Sequence, residues 1–191
     1  MTYTGFPPPL LTDRVVALRP WAAADAPDLY AAVRESYLVL TRWLPWADHY
    51  QSAQDAEHGI ADGARRLKAG TEFRYGIFDA KTDFCLGGVG LNRIHADDKI
   101  ANLGYWVRTS ASKHGMATRA ARLLARHALT DGPFHRVEII TAVENHPSHK
   151  VARKLGAKFE GILRDRIWIR SKAHDAHVYS LIRTDPIVRA L

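Results

Sequence analysis

The chain has 191 residues, of which 47% are hydrophobic and 25% charged, so it is neither a disordered chain nor a coiled coil, and we expect one domain over residues 1–191. The lone Cys85 excludes a disulfide framework and a cysteine-based metal site. With 27 Lys and Arg against 20 Asp and Glu, the net charge is +7, which favours an anionic partner: a phosphorylated cofactor, a nucleic acid, an acidic protein or a membrane surface.

The N-terminal segment carries no pattern of a targeting signal. Its sequence, MTYTGFPPPLL, lacks a basic region and a long apolar region, and no apolar run in the chain approaches the roughly 18 residues of a membrane span. We therefore expect a cytoplasmic protein without a membrane partner. The proline run at 7–9 predicts that residues 1–12 form a flexible N-terminal arm.

The first half of the chain predicts a strand, two helices and then a group of strands. Residues 14–19 have the pattern of a strand closed by Pro20, and helices are expected over 23–35 and 52–68. The stretch 37–46 is aromatic and its structure is left open. Three strands follow, over 73–79, 85–94 and 100–107. Polar turns separate them, which predicts an antiparallel meander.

The second half alternates helices and strands. Small and apolar residues recur at spacings of three and four over 116–129, which predicts a helix. A nearly continuous apolar strand over 137–143 comes next, and then a short helix over 148–155 that ends at Gly156. Two last strands are expected over 158–169 and 177–182. The order predicts a mixed α/β fold with a mostly antiparallel central sheet.

A glycine turn between the strand that ends at Val107 and the alanine-rich helix suggests a phosphate site. Gly115 permits close approach of the backbone, and the unpaired N–H groups of the helix's first turn point to one spot. Lys113 and Arg119 could add positive charge there. From spacing alone, an ordinary strand-to-helix turn remains an open alternative.

Further motifs downstream make the pattern more specific. The ordered set resembles the GNAT superfamily of acyl-CoA-dependent N-acetyltransferases, in particular the branch that acetylates the N-termini of ribosomal proteins. The motifs that carry this resemblance are Ala101-Asn102-Leu103-Gly104-Tyr105-Trp106-Val107, Gly115-x-Ala117, Arg136-Val137-Glu138, Asn145-x-x-Ser148, Lys154-Leu155-Gly156 and Glu160-Gly161. A looser likeness includes Leu18-Arg19-Pro20 and Trp43-Leu44-Pro45-Trp46.

The resemblance implies a GNAT-like sheet in which a splayed strand pair holds acetyl-CoA. The strand 105–107 diverges from 139–141, and pantetheine lies between them like an added strand. Backbone N–H groups of 113–118 hold the pyrophosphate, and Ser148 lies near the thioester sulfur. The implied cofactor-binding residues are Tyr105, Trp106, Val107, Lys113, His114, Gly115, Met116, Ala117, Thr118 and Asn145. The implied catalytic residues are Ser148 and Asn145.

Two departures from the family bear on the chemistry. Ala152 stands where many members have a tyrosine that protonates the thiolate, so Ser148 is the available substitute. Asn102 stands where many have a glutamate base, and an amide takes no proton near neutral pH. A site without an evident base favours an α-amine, whose pKa is about 7.7–8.0, over lysine at about 10.4. Glu160, Asp165 or a water chain stay open as a base.

The expected function is therefore acetyl transfer from acetyl-CoA to a primary amine, by direct attack in a ternary complex. The acceptor is a protein N-terminus or a small amine, and the net charge favours an acidic one. Tyr37, Trp43 and Trp46 either line the acceptor site or pack the early helices onto the sheet.

The sequence also leaves alternative functions open. One alternative is a catalytically silent acyl-CoA-binding or sensor module. Another is a nucleic-acid-binding domain that uses the stripe Arg119, Arg122 and Arg126, although a solvated helix face is more usual and no direct nucleic-acid partner is expected. Histidine pairs at i,i+3 spacing lack a third ligand nearby, so no metal is expected. The sequence leaves a homodimer open.

Overall fold

One mixed sheet organises the chain in the computed structural model, which describes residue 6 and residues 8–189. The strands are β1 (Leu11–Thr12), β2 (Val16–Pro20), β3 (Phe73–Asp79), β4 (Cys85–His95), β5 (Ile100–Val107), β6 (Arg136–Ala142), β7 (Lys158–Ile169) and β8 (Lys172–Ile182). The helices are α1 (Ala26–Glu35), α2 (Tyr37–Leu40), α3 (Ala53–Ala69), α4 (Met116–Thr130), α5 (His146–Lys154) and α6 (Pro186–Arg189), with short 3₁₀ turns at Ala23–Asp25, Pro45–His49 and Thr109–Ala111.

The strand order in the sheet is β1-β2-β3-β4-β5-β6-β8-β7. Every neighbouring pair is antiparallel except β5 and β6, which run parallel because α4 crosses over between them. The predicted fold class and the meander of β3, β4 and β5 are thereby confirmed.

Side chains that alternate along the strands build a core on each face of the sheet. On one face, Ala101 and Leu103 of β5 pack against α4, whose alanines let the helix lie close to the strands. Leu124 of α4 is fully buried there, and burial of such a side chain contributes about 1.5–3 kcal/mol. The other face carries α1 and α3, and Trp106 of β5 packs against this smaller core.

The structure corrects the predicted ends of two strands most clearly. Arg14 has a φ of 69°, which ends the predicted strand 14–19 on its N-terminal side, and Pro20 belongs to β2, paired with Tyr75. The strand predicted over 177–182 begins five residues earlier, at Lys172, because Lys172 pairs with Ile169 at the end of β7. The end of β2 at Pro20 and the start of β8 at Lys172 depend on pairing with distant residues.

The segment expected to be a flexible arm packs on the domain wherever it is described. Phe6 is buried against Phe73, and the Tyr75 hydroxyl donates to the carbonyl oxygen of Pro8 at 3.0 Å. Leu11 and Thr12 form β1 on the edge of β2. Residues 1–5 and 7 lie outside the described part of the chain. None of the helices in the described part is long and apolar enough to cross a membrane.

Candidate active site

Strands β5 and β6 form a fork. They pair over three positions only, from Ile100 with Arg136 to Asn102 with Glu138. Beyond Asn102, β5 stays with β4 as far as Val107, whereas β6 stays with β8. The two strands therefore diverge, as predicted, and leave a gap with backbone on both sides.

The side chain of Asn102 fixes the point at which the fork opens. Its Nδ2 donates to Asn92 Oδ1 at 2.9 Å, and its Oδ1 accepts from the Ile140 N–H at 3.1 Å. A carboxylate could accept but not donate, so the amide is the group that fits both neighbours. The position that the sequence marked only as a missing base therefore has a structural role.

The turn before α4 comes after the end of β5 in the chain and leaves backbone groups without a capping side chain. Gly115 has a φ of 83° and is the N-cap of α4, so no capping side chain meets the N–H groups of the first turn. Lys113 also has a positive φ, of 66°. A Cβ built on Gly115 would meet nothing within 4 Å. The turn is thus shaped for an anion that approaches the backbone closely.

The other members of the predicted turn differ in exposure. Lys113 and His114 are exposed, Met116 and Ala117 are half-buried, and Thr118 is buried. All lie in the turn or in the first turn of α4. The structure therefore brings the predicted pyrophosphate residues together.

Helix α5 begins at the open side of the fork with the two predicted catalytic residues. Asn145 is its N-cap, and the Oδ1 atom accepts from the Ser148 N–H at 3.3 Å. The Tyr105 hydroxyl lies 3.0 Å from Ser148 Oγ and 3.1 Å from the Ser148 carbonyl oxygen. Burial raises the pKa of Tyr105 to about 12, so its hydroxyl is protonated at neutral pH.

The Tyr105 hydroxyl is a functional group that the sequence analysis missed. Tyr105 was expected to contribute through its strand backbone. Its partner Ser148 lies 43 residues away on another element, and no local pattern predicts that contact.

A cavity of about 770 Å³ lies on the face of the sheet that carries α1 and α3, beside Trp106 of β5. Its aromatic wall is made by Trp46, Tyr50 and Trp106, with ring centroids 5.5 Å apart for Trp46 and Tyr50 and 5.8 Å for Trp46 and Trp106. Gly88 makes room for this wall, since a Cβ there would lie 2.5 Å from the indole nitrogen of Trp106. Tyr105 lines the same cavity, so the strand that borders the fork also borders the cavity.

The structure separates the three residues expected to form an acceptor wall. Trp46 lines the cavity, but Tyr37 and Trp43 are not among the described residues that line it. The Tyr37 hydroxyl donates to Asp48 at 2.8 Å, and Trp43 packs under the guanidinium of Arg42. Trp106, expected to bind cofactor, turns its indole to the cavity and leaves only its backbone on the fork side.

The carboxylates of the cavity already have hydrogen-bond partners. Asp62 accepts from Arg66 at 2.6 Å, and this interaction lowers its pKa. Glu72 accepts from Arg74 at 2.8 Å. Asp55 accepts from the backbone N–H of residue 51 and from the residue 52 hydroxyl at the start of α3. Hydrogen bonds lower the pKa of Asp55 and of Asp62, so these two carboxylates are weak bases.

The two acidic residues left open as a base lie elsewhere. Both oxygens of Glu160 accept from the guanidinium of Arg136, and Ser180 Oγ donates to one of them at 2.7 Å. The Arg136 hydrogen bonds lower the pKa of Glu160 to about 2, so this carboxylate holds a proton poorly. Asp165 is exposed on β7, where its N–H donates to Asp175. Neither acid is among the described residues that line the cavity.

Two of the three arginines in the stripe on α4 bind other parts of the chain. Arg119 pairs with Asp13 at 2.8 Å, and Arg122 donates to the carbonyl oxygen of Lys154 at 3.2 Å. Among the residues that the structure describes, no three His, Cys, Asp or Glu side chains cluster in a way that could hold a metal ion.

The chain is similar in sequence and fold to known acetyltransferases. The profile of the acetyltransferase (GNAT) domain family matches residues 16–158. The ribosomal-protein-serine acetyltransferase of Escherichia coli (strain K12) is 27% identical over 154 residues, which cover 81% of this chain and 85% of that protein.

Two solved structures share the architecture. RimL, a ribosomal L7/L12 α-N-protein acetyltransferase in complex with coenzyme A, has a TM-score of 0.84 at 23% identity and covers 91% of this chain and 97% of its own. The microcin C7 self-immunity acetyltransferase MccE, in complex with acetyl-CoA and AMP, has a TM-score of 0.85 at 22% identity. The match covers 94% of this chain and 99% of the MccE chain.

Proposed function

The chain belongs to the GNAT acetyltransferase family, and from that premise we propose that it acetylates the α-amine of a protein N-terminus. As a member of this family it is an N-acetyltransferase that uses acetyl-CoA. The observation that supports acetyl transfer at this site is the position of Tyr105, which lines the cavity that we assign to the acceptor and also contacts Ser148 at the fork. Cofactor and acceptor can therefore meet across one residue of β5.

Acetyl-CoA fits the fork and the glycine turn. The diverging ends of β5 and β6 offer backbone groups to pantetheine, with Asn145 beside it, and the turn at 113–118 offers N–H groups to the pyrophosphate. When bound, acetyl-CoA supplies the thioester carbon that the amine attacks. The pyrophosphate turn then serves binding, while residues of β5 and α5 serve the transfer.

Ser148 and Tyr105 act together on the leaving group. As the neutral amine nitrogen bonds to the acetyl carbon and the C–S bond breaks, the Ser148 hydroxyl donates a hydrogen bond to the sulfur, which leaves as the thiolate. The proton that the nitrogen loses passes to water. The single proton of the Tyr105 hydroxyl can turn from the Ser148 carbonyl oxygen, at 3.1 Å, to Ser148 Oγ, at 3.0 Å, and in that orientation it makes the serine a better donor. A backbone N–H at the end of β5 polarises the acetyl carbonyl oxygen.

The choice of an α-amine follows from the bonded carboxylates of the cavity. At pH 7 roughly a tenth of α-amines are already neutral, so deprotonation of the rest costs only about 1.4 kcal/mol, against about 4.6 kcal/mol for lysine. Asp62 and Glu72 are engaged with arginines and cannot readily supply that difference. An acceptor that needs little deprotonation suits such a site.

The cavity itself does not favour acidic acceptors. Three carboxylates and two arginines lie on its lining, so the surplus of positive charge resides elsewhere on the surface. We therefore assign any preference for acidic acceptor proteins to long-range attraction by the net charge of +7, which salt should weaken.

Two matched peptides test the acceptor. One has a free α-amine and no lysine, and the other has a blocked N-terminus and one lysine. With acetyl-CoA at pH 7, mass spectrometry should show faster acetylation of the first peptide than of the second. In a series of pH values, the rate for the first peptide should rise from pH 6 to about 8 and then level off. Faster acetylation of the lysine peptide would contradict the proposal. In that case the exposed His49 and His58 on the cavity lining are the first to replace.

A small aminoacyl compound is a second candidate acceptor. A cavity of about 770 Å³ with an aromatic wall has the size of a small-molecule site. MccE, which shares the fold, has AMP bound together with acetyl-CoA. Adding aminoacyl nucleotides to the peptide screen separates the two classes. Binding of acetyl-CoA without transfer to any amine would instead favour the silent binding module.

A further inference from the structure

His149 ties the first turn of α5 to two strands. His149 is buried, with only 8% of the residue exposed. The Nε2 atom lies 3.1 Å from the carbonyl oxygen of Ala142 and 3.0 Å from that of Val143, at the end of β6. On its other side, the Nδ1 atom lies 3.1 Å from His177 Nδ1 and 3.4 Å from the Tyr179 hydroxyl, both on β8.

These partners fix the tautomer of His149. Carbonyl oxygens only accept hydrogen bonds, so Nε2 carries the proton and Nδ1 of the neutral ring is an acceptor. His177 Nδ1 must then be the donor across the 3.1 Å contact. One orientation of the His149 ring satisfies both strands, and a flipped ring satisfies neither.

Ser148 directly precedes His149 in the chain. Its own contacts are the N-cap bond to Asn145 and the hydroxyl of Tyr105. We propose that His149 is a positioning residue for acetyl transfer, which holds the first turn of α5 so that Ser148 Oγ stays within reach of Tyr105 and of the sulfur. The inference rests on the proposed function, because it assigns His149 to the same transfer step.

A double-mutant cycle tests this role. His149→Phe keeps a ring of similar size but has neither nitrogen, and should lower kcat at least tenfold with the KM for acetyl-CoA within about twofold of wild type. In a Ser148→Ala background the same substitution should have almost no further effect on kcat, because the residue that it positions is gone. His149→Gln, which can place an amide donor near the Nε2 position, should recover most of the activity. Equal losses of kcat in both backgrounds, or a raised KM with kcat preserved, would overturn the proposal.

Two measurements do not depend on turnover and so separate this inference from the proposed function. The ¹⁵N spectrum of His149 should show a protonated Nε2 and an unprotonated Nδ1 at pH 7.5. In a crystal structure of the His149→Phe variant, the Tyr105 to Ser148 hydroxyl contact, 3.0 Å in the native chain, should be lost. If that variant does not fold, His177→Phe at the half-buried partner should break the same contact. An unmoved Ser148, or the opposite tautomer, would refute the positioning role even if peptides are acetylated.

Discussion

An alanine at Gly115 should separate cofactor binding from folding. Gly115 has a φ of 83°, and a left-handed conformation costs an L-residue about 1–2 kcal/mol. A Cβ there meets no protein atom within 4 Å, so the strain is the whole expected cost to the fold. That cost corresponds to a fall in Tm of about 2–8 °C for a domain of this size.

The same Cβ projects into the space where the pyrophosphate should lie. We expect the affinity for acetyl-CoA to fall at least tenfold, or about 1.4 kcal/mol, in Gly115→Ala, and further in Gly115→Val. Gly70→Ala is the matched control, because Gly70 ends α3 with a φ of 69° and carries the same backbone strain away from the turn. Calorimetric titration with acetyl-CoA and thermal melts measure both quantities. A folded Gly115→Ala variant with unchanged affinity would refute the assignment of this turn to the pyrophosphate.

Three further substitutions probe the transfer step, the acceptor and the fold. Ser148→Ala should lower kcat by about 10–100-fold in steady-state kinetics with little change in the KM for acetyl-CoA, and the reverse pattern would make Ser148 a binding residue. Trp46→Ala should raise the acceptor KM several-fold at unchanged acetyl-CoA affinity, whereas Trp43→Ala, which alters a residue off the cavity lining, should not. Glu35→Gln should destabilise the fold by about 2–4 kcal/mol in urea unfolding, because it breaks the ion pair with Arg108. Burial opposes ionisation of Glu35, but the hydrogen bonds from Arg108 and Ser110 together outweigh it and lower the pKa of Glu35. The wild type should therefore lose this stability as the pH falls through and below about 4.3, and the variant should not.

The sequence pattern was enough to predict the helices and strands whose ends are set by their own residues. Strands β3 and β5 begin and end where the apolar pattern predicted them, and α3 lies between a serine N-cap and Gly70, as expected. The glycine turn was also visible, because its special backbone conformation depends on residue type. These features depend on chemistry within a few neighbouring residues.

Features that depend on distant contacts were not predicted. The first residues of β8 are polar and become a strand only through pairing with β7. Phe6 is buried by an aromatic cluster drawn from β3 and from the segment after α4. Tyr105 and Ser148 are brought together by the fork and by α5, and Trp46 was separated from Trp43 by the turn between them. In each case the tertiary arrangement, which a linear pattern does not contain, decided the outcome.

The most direct test of the account is a crystal structure with a bisubstrate ligand, in which coenzyme A is joined through an acetyl linker to the α-nitrogen of a short peptide. We predict pantetheine between the diverging ends of β5 and β6, the pyrophosphate on the turn at Gly115, and the sulfur within hydrogen-bond distance of Ser148 Oγ. The peptide should enter the cavity beside Trp46 and Trp106. A sulfur remote from Ser148, or a peptide bound outside this cavity, would contradict the account.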